Sequence, residues 1–379
     1  MTIHVLHVVG ARPNFMKVAP VMAALAQYAD ARQTLVHTGQ HYDVNMSDVF
    51  FQQLGIPAPD VNLEVGSGSH AQQTAQVMSR FELVVIEREP DIVLVYGDIN
   101  STVAAALVSA KLGIRVGHVE AGLRSGDRTM PEEINRLVTD QLADILFTPS
   151  EDGNANLARE GILPEKVHLV GNVMIDTLVR LLPAALQHWQ AGRFEVQGLE
   201  VEPNKYVLTT LHRPSNVDDP AVLEQILTVL SDIGQQLPVI FPIHPRTRQR
   251  LQSTHYAISR SIPLGRNTSL RLLEPLSYLD FLALQRHAAL VITDSGGIQE
   301  ETSYLGIPCL TLRTNTERPV TVEMGTNTLV GNDLDLLRTR FHAILDGDRS
   351  WDRRPPGGIP LWDGHAAERI AAVLAGMAG

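Results

Sequence analysis

Three carboxylates within the first 132 residues stand at the ends of predicted strands or helices. Asp98 follows IVLVYG, Glu120 ends IRVGHV, and Glu132 opens the helix-like PEEINRLVTDQLA just after Pro131. Acids gathered on one side of a sheet suit general acid–base catalysis, in which one group removes a proton and another returns it. Two of the three have plainer uses: Asp98 as the cap of the next helix and Glu132 as an acid that complements a helix dipole. Glu120 extends an apolar strand with a glycine soon after it, so burial beside a ligand or an arginine is its expected setting. In GARPNFMK, Arg12 and Lys17 surround a helix start, where cations oppose the dipole unless an anion lies between them. In the second half of the chain, His212 and Arg213 end KYVLTTL and His244 ends PVIFPI. The stretch TDSGGIQEE (293–301) offers Ser295, Gly296 and Gly297 as a strand-to-helix turn whose bare N–H groups suit a diphosphate. Arg318, in TERP, follows another apolar run, and Glu300 reads as a solvated acid at a helix start. No His-x-x-x-His spacing or His/Cys cluster points to a metal.

These residues need a frame. Runs such as HVLHVVG, TLVHTG, IVLVYGD, VHLVGN, KYVLTTL, PVIFPIH, LVITD and PCLTL alternate with helical patterns. Strands this continuously apolar are buried on both faces, which predicts parallel sheets covered by helices. The class is α/β, and in open parallel sheets ligands sit beyond the carboxyl ends of the strands, where the polar residues above fall. The pattern loosens over 173–203. That predicts a first Rossmann-like domain over 1–172, a connection over 173–203, a second such domain over 204–363, and a final helix (364–379) able to cap either one. The expected site is a cleft between the two domains, each supplying half of it. GSGSHA (66–71) matches a dinucleotide fingerprint but follows VNLEV, a short run with alternate polar residues where a buried strand is required.

Composition narrows the partners. With 42 acidic against 31 basic side chains in 379 residues, the formal charge is −11, which gives no attraction to nucleic acid or an anionic membrane. The single cysteine, Cys309, lies in an apolar run and reads as a buried, inert thiol. The N-terminus lacks the features of a secretory signal and no long apolar run occurs, so the cytoplasm is the expected compartment.

The motifs GARPNFMKVAP, TGQH, VYGDINST, HVEAGLRS, PEEINR, LHRPSN, EPLSYLDF, TDSGGIQEE and TERP occur in that order between residues 10 and 319. Together they resemble the non-hydrolysing UDP-N-acetylglucosamine 2-epimerases. The resemblance implies two Rossmann-like domains of glycosyltransferase-B type facing a central cleft, a homodimer, and no metal or redox cofactor. It also implies residue roles. Arg12, His212 and the Ser295–Gly297 turn would hold the diphosphate. Glu301 would accept from the ribose hydroxyls, Phe281 would lie beside the uracil, and Arg318 would reach the sugar and phosphate. Lys17, Asp98, Glu120 and Glu132 match residues used near the sugar ring, with His212 counted among the catalytic set. Gln40, His41 and His244 match the neighbourhood of an activating second UDP-sugar, although SHAQQT lacks the arginine that commonly helps there. Ala11, Asn14 and the sequence HRPSN depart from the commoner G-T-R-P-E and HR-x-E-N, which bears on sugar specificity. The rivals are a 2-epimerase of a related UDP-diacetamido uronic acid, a hydrolysing relative, a glycosyltransferase of the same fold, and a non-catalytic sugar-nucleotide sensor.

Overall fold

The structure is a computed structural model and describes residues 2–40, 53–187, 189, 194–196, 198–251 and 270–378. His41 lies outside these residues. The chain divides into two compact units, Met1–Leu178 with Pro360–Gly379, and Val179–Ile359.

In the first unit, seven strands form one sheet: β1 (Ile3–Val9), β2 (Ala31–His37), β3 (Val61–Asn62), β4 (Ile92–Tyr96), β5 (Arg115–Val119), β6 (Ile145–Thr148) and β7 (Val167–Leu169). They lie in the order β3-β2-β1-β4-β5-β6-β7, and every pairing is parallel. β1 and β4 are buried at every position, as double-sided cover demands. The cover comes from α1 (Arg12–Leu25), α2 (His70–Arg88), α3 (Asn100–Lys111), α4 (Pro131–Leu142), α5 (Glu151–Arg159) and α6 (Val173–Gln187). Leu6, Val8, Phe81, Val93, Val95 and Leu146 belong to the core this creates. The GSGSHA stretch serves as a helix start: the Ser69 hydroxyl caps α2 by accepting from the Gln72 N–H at 3.3 Å.

In the second unit, β8 (Phe194–Val196) and β9 (Leu199–Val201) pair as an antiparallel ribbon. The main sheet contains β10 (Val207–Thr210), β11 (Val239–Pro242), β12 (Leu270–Leu273), β13 (Leu290–Thr293), β14 (Cys309–Thr311) and β15 (Asn327–Leu329). Its order is β12-β11-β10-β13-β14-β15, again parallel throughout. Around it run α7 (Pro214–Val217), α8 (Pro220–Gly234), α9 (Pro245–Leu251), α10 (Tyr278–His287), α11 (Gly296–Leu305), α12 (Val320–Glu323) and α13 (Leu334–Leu345). Ile226, Leu230, Phe241 and Phe341 anchor a core in which the two phenylalanines are wholly buried. Cys309 is buried too, and burial pushes its thiol up to about 11, out of the reactive range.

Two segments differ from the simple pattern. The loosened stretch after residue 172 begins with the 15-residue α6, whose Pro183 and flanking polar residues blur its periodicity, and the two units meet in sequence within that helix. The last helix, α14 (Ala366–Ala375), belongs to the first unit, where it packs on α1. Its first N–H groups, those of Ala366 and Ala367, donate to the Asp176 carboxylate at 3.2 and 2.7 Å. Burial raises the Asp176 pKa to about 6 against the opposing pull of those two donors.

Each strand order reverses once, between β1 and β4 and between β10 and β13. In a doubly wound sheet that crevice is where ligands bind.

Candidate active site

At the first reversal, β1 runs through Gly10 and Ala11 into α1, where Pro13 occupies the first turn. Ala11 cannot cap the helix, and Asn14 supplies the missing acceptor. Its side-chain oxygen takes the N–H groups of Gly10 and Ala11, both at 3.1 Å, while its amide donates to the Tyr96 carbonyl at 2.8 Å. The turn after β1 is thereby tied to the end of β4. Arg12 sits at the start of α1, and burial lowers its pKa.

One turn further along α1, Lys17 forms an ion pair with Glu120, and both side chains are almost wholly buried. Glu120 follows β5 at φ 74°, a left-handed conformation that a glutamate adopts only at a cost. Such strain persists where surrounding structure enforces it, and it concentrates at functional sites. Gly97, at φ +63°, lies against this pair: a β-carbon there would stand 2.6 Å from Lys17 Nζ and 3.2 Å from Glu120 Oε2. Gly97 is therefore favoured by its dihedral, and it packs directly against the pair.

Asp98 does not cap the following helix, whose N-cap is Ile99. Its carboxylate pairs with Arg136 of α4, and its carbonyl accepts from the Asn135 amide at 2.8 Å. Arg136 also grips Glu133 at 2.6 and 3.0 Å. Glu133 in turn accepts from the N–H groups of Ser125 and Gly126 at 3.0 and 2.9 Å. Burial pulls the Glu133 pKa up, but the Ser125 N–H, the Arg136 guanidinium and the Gly126 N–H outweigh it and leave it low. Glu132, the acid singled out by sequence, is half-buried at the helix start, while its neighbour Glu133 carries the structural contacts.

Gln40 is buried after β2, and its side-chain oxygen accepts from the Ser101 hydroxyl at 2.7 Å and from the Ser101 N–H at 3.2 Å. Gln73 and Asn100, joined at 2.9 Å, continue this polar group, and His70 lies 3.1 to 3.2 Å from the Asn100 amide group.

At the second reversal, the fully buried Asp294 organises the ends of β10 and β13. It accepts the backbone N–H of His212 at 3.0 and 3.1 Å, that of Arg213 at 2.9 Å, and the Asn216 amide at 3.0 Å. The His212 ring also lies with Nδ1 3.0 Å from Asp294 Oδ1. Burial would raise the Asp294 pKa, but contact with His212, Asn216 and the Arg213 N–H keeps it low. His212 is thus anchored from behind, and its ring lies 5.4 Å from that of the exposed His244.

Ser295 is the N-cap residue of α11 but caps nothing with its side chain, which leaves the helix start open in front of Gly296 and Gly297. Arg318 lies against this turn, and a β-carbon on Gly296 would meet its guanidinium at 2.5 Å. Arg318 pairs with Glu300 at 2.6 Å, and Glu300 is only 1% exposed. The expectation of a solvated Glu300 is therefore wrong: α11 turns this side chain inward, where it needs a cation. Glu317 is buried as well, held by Arg313 at 2.7 and 2.8 Å, with Arg318 at 3.5 Å and Arg213 at 3.9 Å. Despite burial, those arginines drive its pKa far below the usual range. Arg213, Arg313 and Arg318 thus gather around the buried Glu300 and Glu317.

Glu301, one residue beyond Glu300, is 2% exposed; one carboxylate oxygen accepts from the Tyr278 hydroxyl at 2.8 Å. Burial raises its pKa to about 7, with the Tyr278 hydrogen bond opposing and the charge of Glu300 assisting. Phe281 sits half-buried on the same helix as Tyr278.

The chain matches the family described as UDP-N-acetylglucosamine 2-epimerase over residues 23–375. The UDP-N-acetylglucosamine 2-epimerase of Methanocaldococcus jannaschii is 41% identical over 97% of each chain. A crystal structure of the enzyme from that organism, in complex with UDP-GlcNAc and UDP, superposes with a TM-score of 0.85 at 39% identity, covering 98% of this chain and 99% of the other. The UDP-2,3-diacetamido-2,3-dideoxy-D-glucuronate 2-epimerase of Pseudomonas aeruginosa is 40% identical over 98% of this chain and 99% of its own. The chain belongs to the UDP-N-acetylglucosamine 2-epimerase family.

In this epimerase-family chain the structure brings Lys17 to Glu120 and Asp98 to the helix that Glu132 opens. In the second unit it brings His212 to Asp294 and Arg318 to the glycine turn. Sequence reasoning passed over Glu133, Arg136, His118, Asp140, Asp294, Arg313 and Glu317. One signal was available: Glu133, Arg136 and Asp140 recur at helical spacing, and all three are buried on one face of α4. Among the described residues, no group of three or more His, Cys, Asp or Glu side chains is placed to hold a metal. No helix among them is long and apolar enough to cross a membrane.

Proposed function

We propose that the protein reversibly epimerises carbon 2 of UDP-N-acetylglucosamine, giving UDP-N-acetylmannosamine. The observation that carries this reading is the buried Lys17–Glu120 pair, with Glu120 held at φ 74° beside the Gly97–Asp98 turn. The carbon-2 hydrogen of the sugar is not acidic enough for direct removal. Breaking the bond between carbon 1 and the diphosphate oxygen first gives the ring oxocarbenium character, and a carboxylate then takes the carbon-2 proton. UDP leaves with the bonding electron pair, and the sugar becomes 2-acetamidoglucal. Protonation of carbon 2 from the opposite face and return of UDP to carbon 1 complete the inversion, with no net change in oxidation state. Asp98, Glu120 and Glu132 are the proposed acid–base groups, with Lys17 paired to Glu120. Arg12, His212, Arg318 and the Ser295–Gly297 turn stabilise charge on the departing diphosphate, and Glu301 and Phe281 hold the nucleoside. These roles call for no metal or redox cofactor and are consistent with a cytoplasmic enzyme.

A second reading rests on the relative that acts on the diacetamido glucuronate, which is as similar to this chain as the N-acetylglucosamine enzymes are. Asn14, a neutral residue among the sugar-side groups, leaves that region one acid poorer than a glutamate would. Incubation with each UDP-sugar, followed by product separation, decides between the readings. UDP-N-acetylmannosamine supports the first, an epimerised uronic acid the second, and unchanged substrate in both arms a non-catalytic sensor.

A homodimer, implied by the resemblance, would cover the exposed Leu83, Ile86, Leu112, Ile134 and Val138 on or beside the adjacent helices α2, α3 and α4. Light scattering of the parent and of Leu83→Asp tests it; a monomeric parent overturns it.

A further inference from the structure

The His118 side chain of β5 is wholly buried, yet it makes no use of the apolar surroundings that its strand position offers. Its Nε2 lies 2.8 Å from the carbonyl oxygen of Gly97, and its Nδ1 lies 2.6 Å from Oδ1 of Asp140 in α4. A carbonyl oxygen only accepts, so Nε2 donates to the peptide that links Gly97 to Asp98. The second Asp140 oxygen accepts the Gly122 N–H at 3.1 Å and pairs with Arg124 at 2.7 Å. Gly122 stands two residues after Glu120, at φ +80°, with the backbone of Gly153 filling the place of a side chain. Arg124 is itself clamped by Glu160 at 2.6 and 2.7 Å. One buried pair thus reaches three pieces of backbone: the turn that carries Asp98, the turn that carries Glu120, and the helix whose first turn carries Glu132.

Burying an imidazole and a carboxylate is costly, and apolar residues of similar volume would hold the sheet together as well or better. What apolar residues cannot do is fix the relative positions of three separate turns through directed hydrogen bonds. We propose that His118 and Asp140 form a positioning pair that sets the spacing of Asp98, Glu120 and Glu132 for proton transfer at the sugar. The proposal rests on the epimerase reading above, and neither residue touches substrate itself.

The experiment separates the two arms of the histidine. His118→Asn keeps a donor near Asp140 and loses the one to Gly97, while His118→Gln extends an amide toward Gly97. Circular dichroism and thermal unfolding show that each variant is folded, and UDP binding by calorimetry shows that the proposed nucleotide groups are intact. The expected result for His118→Asn is a kcat about 100-fold below the parent, the scale of a misplacement near 1 Å. KM stays within about threefold, and uptake of deuterium at carbon 2 from heavy water falls by the same factor as kcat. His118→Gln recovers about tenfold of that loss. If both variants bind UDP normally and turn over within about threefold of the parent, His118 is only structural and the proposal is overturned. A loss that appears in KM alone also overturns it. A parent protein that acts on neither UDP-sugar removes the epimerase reading and the proposal with it, an outcome visible before any variant is made.

Discussion

The two strand-order reversals of this chain handle charge differently. In the first unit, ionisable groups meet in matched, directed contacts: Lys17 with Glu120, Arg136 with both Asp98 and Glu133, His118 and Arg124 with Asp140. In the second unit, a capless helix start and a glycine turn stand beside Arg318, one of three arginines gathered around the buried Glu300 and Glu317. Directed contacts hold these carboxylates in place, which suits proton transfer. A cluster of arginines and the N–H groups of a helix start suit a diphosphate. The difference implies that variants of the first unit's acids should change turnover, and variants of the second unit's arginines and glycine turn should change nucleotide affinity.

The largest effect is expected in the first unit. Glu120→Gln, Asp98→Asn and Glu132→Gln keep shape and remove basicity, and loss of a general acid or base costs about 10²- to 10⁴-fold in kcat. UDP affinity should stay within about threefold. Deuterium uptake at carbon 2, measured for each variant, shows which acid serves which proton transfer. Full activity in all three would remove these acids from the chemistry.

An intermediate effect is expected from Arg318. A charge-assisted hydrogen bond contributes about 1.5–3 kcal/mol, so Arg318→Ala should weaken UDP binding by about 10- to 100-fold. Because the substitution leaves Glu300 buried without its cation, Arg318→Ala combined with Glu300→Gln is the cleaner measurement. If the double variant binds UDP as the parent does, Arg318 has no part in holding the diphosphate.

The same contrast explains what was legible in the sequence. Both sheets could be read because their strands are apolar at nearly every position, a pattern that needs only local sequence. The glycine turn, His212 and Arg318 could be read because strand ends in parallel sheets announce themselves. The matched pairs could not be read in the same way. Asp98 gave no sign that its partner was Arg136, 38 residues away, and Glu300 looked like a surface acid until its burial against Arg318 was visible. Ion pairs depend on tertiary contacts, and a single sequence records the partners without the pairing. The exception is α4, where acids and an arginine at helical spacing on the face that packs inward marked a polar buried stripe. Glu132 drew attention through its place at the helix start, and that position says nothing of the deeper Glu133.

The smallest effect concerns pH and Glu301. Burial raises this carboxyl from an ordinary 4.5 to about 7, so in the empty protein it is about half protonated at neutral pH. Ribose hydroxyls would donate to the ionised form, so binding favours loss of the proton and lowers the pKa in the complex. The sign follows. Affinity is highest above about pH 8, where Glu301 is already ionised, and it declines as pH falls through 7, by up to about tenfold per unit until the pKa of the complex is reached. UDP-N-acetylglucosamine is the right probe, because its diphosphate has no ionisation in this range. Calorimetry at pH 6 and 8 should show tighter binding at pH 8 and proton release at pH 7. In Glu301→Gln both the slope and the proton release should vanish. A parent profile that is flat from pH 6 to 8 would separate Glu301 from the ribose and leave the second unit with a diphosphate site alone.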